Sequence, residues 1–172
     1  MIKIDDAGTG SNFGKGIIVV CREETGEYIY NEINDNKKIF SYCIESLNNL
    51  NVDKNEPIVI CRGNVFKGTF NQLLSMGYNI EKGVIDGKVQ DLAEDLFAKQ
   101  LYSLGFSKEI KLNGKDYRDF EYNLANFLYF NPKLKKTIRN DSLKKNKMIK
   151  EIIRKIDRLE NEFPNLYEKL IS

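Results

Sequence analysis

An α/β fold is what this 172-residue chain predicts, and three observations carry the prediction. Residues 2–33 hold three runs of strand-forming residues separated by glycine-containing turns. Pro57-Ile58-Val59-Ile60-Cys61 is a continuous apolar run of strand length that follows a stretch whose apolar residues recur at the 3, 4 and 7 spacing of a helix and precedes a shorter helical one. Beyond residue 106 the apolar patterns are helical. Together these predict a mixed sheet over residues 1–106, its first three strands antiparallel and its later strands joined through helices, followed by a basic helical extension over residues 107–172.

Each element has its own signal. Ile2 to Ile4 is a short apolar strand running into Asp5-Asp6-Ala7-Gly8-Thr9-Gly10-Ser11, which places two carboxylates at a strand end facing a turn rich in glycine and hydroxyls. Glycines there let a phosphate-bearing ligand approach the backbone, and strand-end carboxylates can hold a hard cation. Gly16 to Cys21 and Tyr28 to Ile33 flank Glu24-Thr25-Gly26-Glu27 and form a hairpin. Asp35 is placed to cap a helix carrying Ile39, Phe40, Cys43, Ile44, Leu47 and Leu50 on one stripe. Arg62-Gly63-Asn64 ends the apolar run at Cys61, and Thr69 to Met76 predicts a short helix closed by a left-handed Gly77. Tyr78 to Ile85 supplies a fifth strand, and Val89 to Leu104 a helix ended by Gly105. An aromatic helix is expected from about Asp116 to Phe130, and a single long one from about Ser142 to Glu162.

Composition prunes the chemistry. Histidine is absent, which excludes histidine-based triads, Cys/His dyads and His-containing zinc sites, and leaves carboxylates, lysines, tyrosines, hydroxyls and a carboxylate-held metal. Cys21, Cys43 and Cys61 each lie in an apolar run without a C-x-x-C pair, so buried reduced thiols are expected. No window approaches the roughly 18 apolar residues of a membrane span, and the N-terminus lacks a basic region followed by an apolar stretch. A soluble, cytoplasmic protein with no membrane partner is therefore expected. The net charge of +2 is uneven, because residues 133–158 hold eleven Lys or Arg against three acids. An acidic body with a basic C-terminal region points to a polyanionic partner, although a solvated lysine-rich helix face has the same composition.

The order of three strands, helix, strand, short helix, strand and helix resembles that of the ribonuclease H-like superfamily, which includes ribonuclease H, Holliday-junction resolvases and transposase cores. The resemblance covers residues 1–106. It implies that Asp5 or Asp6, at the end of the first strand, ligates a metal. It also implies a further acid in the first helix or at the end of the fourth strand, and a last one on or just before the final helix. Here the first helix carries Glu45, and the last helix and its approach carry Asp86, Asp91, Glu94 and Asp95. Asp91-Leu92-Ala93-Glu94 resembles the last motif of the resolvase branch, and residues three apart share a helix face. At 100° per residue, however, Asp91 points almost opposite the apolar stripe whereas Glu94 lies nearer its border. The fourth strand ends in Cys61-Arg62-Gly63-Asn64 with no carboxylate.

The function implied is a divalent-metal-dependent nuclease or resolvase-like protein using Mg²⁺ or Mn²⁺. Asp5, Asp6 and Glu94 are its candidate catalytic residues, and Glu45, Asp86 and Asp91 are further metal candidates. Arg62, Lys144, Lys145, Lys147, Lys150 and Arg154 are the candidate contacts to nucleic acid, DNA or RNA. A non-catalytic nucleic-acid-binding or protein-interaction module on the same fold is the alternative. The turn at Asp6 to Ser11 also resembles the first phosphate-binding turn of actin, hexokinase and Hsp70, but those proteins use two such domains and this chain has room for one. In the C-terminal region, Tyr117, Phe120, Tyr122, Phe127, Tyr129 and Phe130 pack within the domain or stack on a partner. Ile149, Ile152, Ile153, Ile156 and Leu159 form a stripe that closes a core or pairs two subunits in a homodimer.

Overall fold

A computed structural model describes residues 1–112 and 117–172. The expected start of the aromatic helix at Asp116 lies outside the described residues. The chain forms two compact units, one of residues 1–10 and 15–97, the other of residues 11–14 and 98–172.

The first unit is an open five-stranded mixed sheet with helices. Its strands are β1 (Ile2–Ala7), β2 (Gly16–Arg22), β3 (Glu27–Ile33), β4 (Ile58–Cys61) and β5 (Ile80–Gly83), in the spatial order β3-β2-β1-β4-β5. β1 pairs antiparallel with β2, and β2 with β3, whereas β1 and β4 pair in parallel, as do β4 and β5. The antiparallel opening expected from the sequence therefore holds for two pairings and stops at β1, which is antiparallel on one edge and parallel on the other. β2 is buried along nearly its whole length, which explains why Ile17, Ile18, Val19, Val20 and Cys21 read as unbroken apolar sequence: both faces are covered.

On one face Ile2, Ile4, Ile18, Val20, Ile58 and Ile60 form a core with Ile39, Cys43 and Leu47 of α1 (Ile39–Asn49) and Leu73 of α2 (Lys67–Ser75). Each such fully buried side chain stabilises by about 1.5–3 kcal/mol relative to exposure. The third helix, α3 (Lys88–Leu104), buries Val89, Ala93 and Phe97 within this unit.

Four local expectations are corrected. The first strand does not end at Ile4 but continues through Asp5 and Asp6, because the long apolar β2 supplies partners as far as Ala7↔Ile17. Asp35 caps not α1 itself but a 3-10 turn, Asn36–Lys38, accepting from the Lys37 amide at 3.0 Å before α1 begins. The second helix begins at Lys67, after another 3-10 turn at Asn64–Phe66. The fifth strand is only four residues long, because β4 offers just four partners, Ile58 to Cys61.

The second unit contains α4 (Tyr117–Phe130), a 3-10 segment (Pro132–Thr137), α5 (Asn140–Lys145), α6 (Lys147–Glu162) and α7 (Pro164–Ile171). The single long helix expected from Ser142 is broken at Asn146, whose backbone is extended at φ −85°, ψ 118°. Its side chain accepts from the Ile149 amide at 3.0 Å and so starts α6, a role asparagine favours over a mid-helix position. Ile149, Ile152 and Ile156 are buried in this unit with Phe120, Leu124 and Leu128. Of the aromatics, Phe120 is buried and Phe127 stacks on Phe106 with ring centres 5.9 Å apart, while Tyr122 and Phe130 face solvent.

Residues 11–14 are held inside this unit. The Asn12 amide and side-chain nitrogen donate to Glu121 Oε2 at 3.1 and 2.8 Å, Arg139 Nε donates to the Gly14 carbonyl at 2.7 Å, and the Phe13 and Phe106 rings meet edge to face at 5.5 Å. Among the described residues, no helix is long and apolar enough to cross a membrane.

Candidate metal centre

The carboxyl ends of the two central parallel strands converge on one place. Parallel pairing of β1 with β4 ends at Ile4↔Ile60, yet β1 runs on through Asp5, Asp6 and Ala7 beside β2. Asp5 and Asp6 therefore stand beyond the last β1–β4 pair, at the carboxyl ends of strands, where open α/β sheets hold ligands. Successive strand residues point to opposite faces. At this strand end, however, a carboxylate oxygen of Asp5, one of Asp6 and the Cys61 sulfur all lie within 4.8 Å of one another. Among the described residues this is the one such group of acids and thiols.

The electrostatics follow from burial. Asp5 is only 5% exposed. Its carboxyl is pushed up to about 6, mainly by loss of solvent and further by the neighbouring charges of Asp6 and Glu94, against hydrogen bonds from the Asp6 amide and the Cys61 thiol. Burial also raises Asp6, and the hydroxyl of Thr9 donates to Asp6 Oδ2 and opposes that rise. Burial and the two aspartates together push the Cys61 thiol up to about 11. Cys43, buried without an acidic neighbour among the causes of its shift, is pushed up to about 12.

In the turn after the aspartates the close approach to Gly8 is made by the protein's own Phe97. Gly8 has φ +67°, and a Cβ there would overlap the Phe97 ring. Gly63, after β4, has open space apart from the Cys61 sulfur at 3.8 Å and Asp6 Oδ1 at 4.0 Å from where its Cβ would stand.

The sequence candidates separate in this geometry. Asp5 and Asp6 come together. Glu94 is close enough to Asp5 to act on its charge and accepts from Gln90 Nε2 at 3.1 Å, but it lies outside the three-atom group. Glu45, Asp86 and Asp91 are exposed and belong to no such group among the described residues. For Asp91 this agrees with its helical phase. Arg62 is exposed beside Cys61, its amide bonded to the Gly83 carbonyl at 3.1 Å.

In the second unit Lys144 and Lys145 are exposed on α5, and Lys147, Lys150 and Arg154 on α6. None of these five has an ion-pair partner among the described residues. By contrast Lys135 pairs with Asp157 at 2.9 Å, Lys155 with Glu151 at 3.7 Å and Arg158 with Glu162 at 3.0 Å.

Sequence reasoning did not nominate Cys61 or Thr9. Cys61 was legible only through register: once Ile4 is set beside Ile60 in a parallel pair, the next residue of each strand is Asp5 and Cys61. No protein-family model matches this chain, and no curated protein matches it significantly.

Proposed function

We propose that the chain is a divalent-metal-dependent nuclease or resolvase-like protein of ribonuclease H-like topology, acting on nucleic-acid phosphodiesters. One observation carries this reading: two carboxylates converge at the carboxyl end of the central strand, in a chain with no histidine. The strand order β3-β2-β1-β4-β5, antiparallel on one side of β1 and parallel on the other, supports the topology.

Asp5 and Asp6 fit a divalent cation, because both are oxygen donors and two adjacent negative charges repel unless one is neutralised. Mg²⁺ or Mn²⁺ held there would activate water and stabilise the leaving oxygen. Thr9 orients the Asp6 carboxylate through its hydroxyl. Glu94, whose charge acts on Asp5, is the further carboxylate that would accept a proton from the attacking water. Arg62, exposed beside Cys61, is placed to meet a backbone phosphate. The unpaired cations of α5 and α6 supply sequence-independent attraction to a polyanion.

The second reading is a non-catalytic nucleic-acid-binding module on the same fold. It is favoured by one observation, that a thiol and not a third carboxylate completes the group at the strand ends. One experiment separates the two. Labelled single- and double-stranded DNA and RNA are incubated with wild type, Asp5→Asn and Asp6→Asn in Mg²⁺ or Mn²⁺, and their binding is titrated over salt with Lys144, Lys145 and Lys147 replaced by Gln. The nuclease reading expects cleavage lost in both aspartate variants, and a salt slope reduced by about 0.7–0.9 per phosphate contact removed. Salt-dependent binding without cleavage selects the module, and absence of binding at low salt defeats both.

A further inference from the structure

The group at the ends of β1 and β4 is not an all-oxygen site. Its third donor is sulfur, and Mg²⁺ takes oxygen ligands in near-ideal octahedral geometry and does not recruit thiolates. Softer divalent ions of the Zn²⁺ and Co²⁺ kind accept carboxylate and thiolate together. We propose that Cys61 is a metal ligand, and that Asp5, Asp6 and Cys61 form an O,O,S site selective for a thiophilic divalent cation over Mg²⁺. The inference rests on the reading of Asp5 and Asp6 as cation ligands and replaces the Mg²⁺ or Mn²⁺ of that reading with a softer ion.

Two features distinguish Cys61 from the other two cysteines. Its sulfur lies within 4.8 Å of an oxygen of each of two carboxylates, whereas Cys43 lies in the apolar core between α1 and the sheet, and Cys21 on β2 belongs to no such group among the described residues. Cys61 is half-buried rather than sealed, so an ion can reach it, while Cys21 and Cys43 are buried.

The spacing is also close to what coordination needs. An ion at the centre of three atoms no more than 4.8 Å apart lies at most about 2.8 Å from each, and bonds from such ions to carboxylate oxygen and thiolate sulfur are about 2.0–2.3 Å long. Side-chain rotation of less than an ångström closes the difference. As the metal–sulfur bond forms, the thiol proton passes to solvent and the thiolate becomes the ligand. Two carboxylates and one thiolate leave a fourth position open for water or a phosphate oxygen, the arrangement of a catalytic rather than a structural zinc site.

The test is a Co²⁺ titration of the full chain under reducing conditions, followed in the near ultraviolet for a thiolate-to-cobalt charge-transfer band. Calorimetric titrations with Zn²⁺ and Mg²⁺ accompany it on wild type, Cys61→Ser, Cys61→Ala, Cys61→Asp, Asp5→Asn and Asp6→Asn. The expected result is a band saturating at one equivalent in wild type and absent from Cys61→Ser and Cys61→Ala. Zn²⁺ affinity should fall about tenfold or more in those two variants, at least the loss that follows removal of an outer-sphere partner, with Mg²⁺ affinity unchanged. Cys61→Asp should reverse the preference by gaining Mg²⁺ affinity. Circular dichroism and urea unfolding of each variant separate loss of a ligand from loss of fold. Cation binding that needs Asp5 and Asp6 but shows no band and no dependence on Cys61 overturns this inference and leaves the carboxylate reading standing. Failure to bind any of the three cations, or binding indifferent to Asp5 and Asp6, overturns both.

Discussion

Replacing Asp5 by Asn should stabilise the metal-free protein at neutral pH. Burial and the charges of Asp6 and Glu94 push the Asp5 carboxyl from 3.8 to about 6 in the folded chain, while the unfolded chain exposes it to water at its ordinary value. The folded state thus binds this proton more tightly than the unfolded state does. The stability it contributes is fully present below pH about 4 and is lost as pH rises through about 6. A shift of roughly two units at about 1.36 kcal/mol each makes that loss about 3 kcal/mol. Asn cannot ionise, so the variant does not incur it.

Urea unfolding of both proteins in chelator from pH 3.5 to 8 measures the effect. The stability difference should be small near pH 3.5 and should grow by about 3 kcal/mol in favour of Asp5→Asn by pH 7.5. A divalent cation that binds the folded site should nearly cancel this, stabilising wild type by about 2.7 kcal/mol at a hundred times its Kd and the variant by much less. A difference that does not change with pH, or a variant that is relatively weaker at pH 7.5 than at pH 3.5, would refute the reasoning.

Gly8→Ala should cost about 2–5 kcal/mol, combining the left-handed backbone penalty of about 1–2 kcal/mol with about 1–3 kcal/mol for overlap with Phe97. Gly26→Ala, with φ +71° and open space around it, should cost only the first part; equal losses in urea unfolding would show that Phe97 does not press on the turn. Asn146→Ala should cost about 1 kcal/mol by removing the cap on α6, and an unchanged unfolding midpoint would mean the helix break does not depend on that side chain.

Local signals were readable wherever one residue type serves one geometry. Gly77 closes α2 with φ +84° as its position predicted, and Gly26 takes the hairpin turn with φ +71°. The apolar run at Ile58 to Cys61 became an interior strand. Misreadings came where a neighbour in space decided the outcome. β1 is longer than its apolar run because β2 supplies partners for Asp5 and Asp6, and β5 is shorter than its pattern because β4 runs out of partners. The helix expected to pass through Asn146 is interrupted because that side chain caps the next helix more favourably than it continues the last.

The candidate site divides the same way. Sequence by itself determined that any chemistry must proceed without histidine, that Asp5 and Asp6 stand beside a glycine turn, and that a basic region lies near the C-terminus. It also determined that Asp91 faces away from its helix's apolar stripe, because helical phase is a local property. Only the tertiary structure decided that Cys61, more than fifty positions from Asp5, joins the two carboxylates while Glu45, Asp86 and Asp91 do not. The physical reason is register. The parallel pairing of Ile4 with Ile60 is set by burial of two strands against a shared core, and a shift by one residue would turn Cys61 to the opposite face of the sheet.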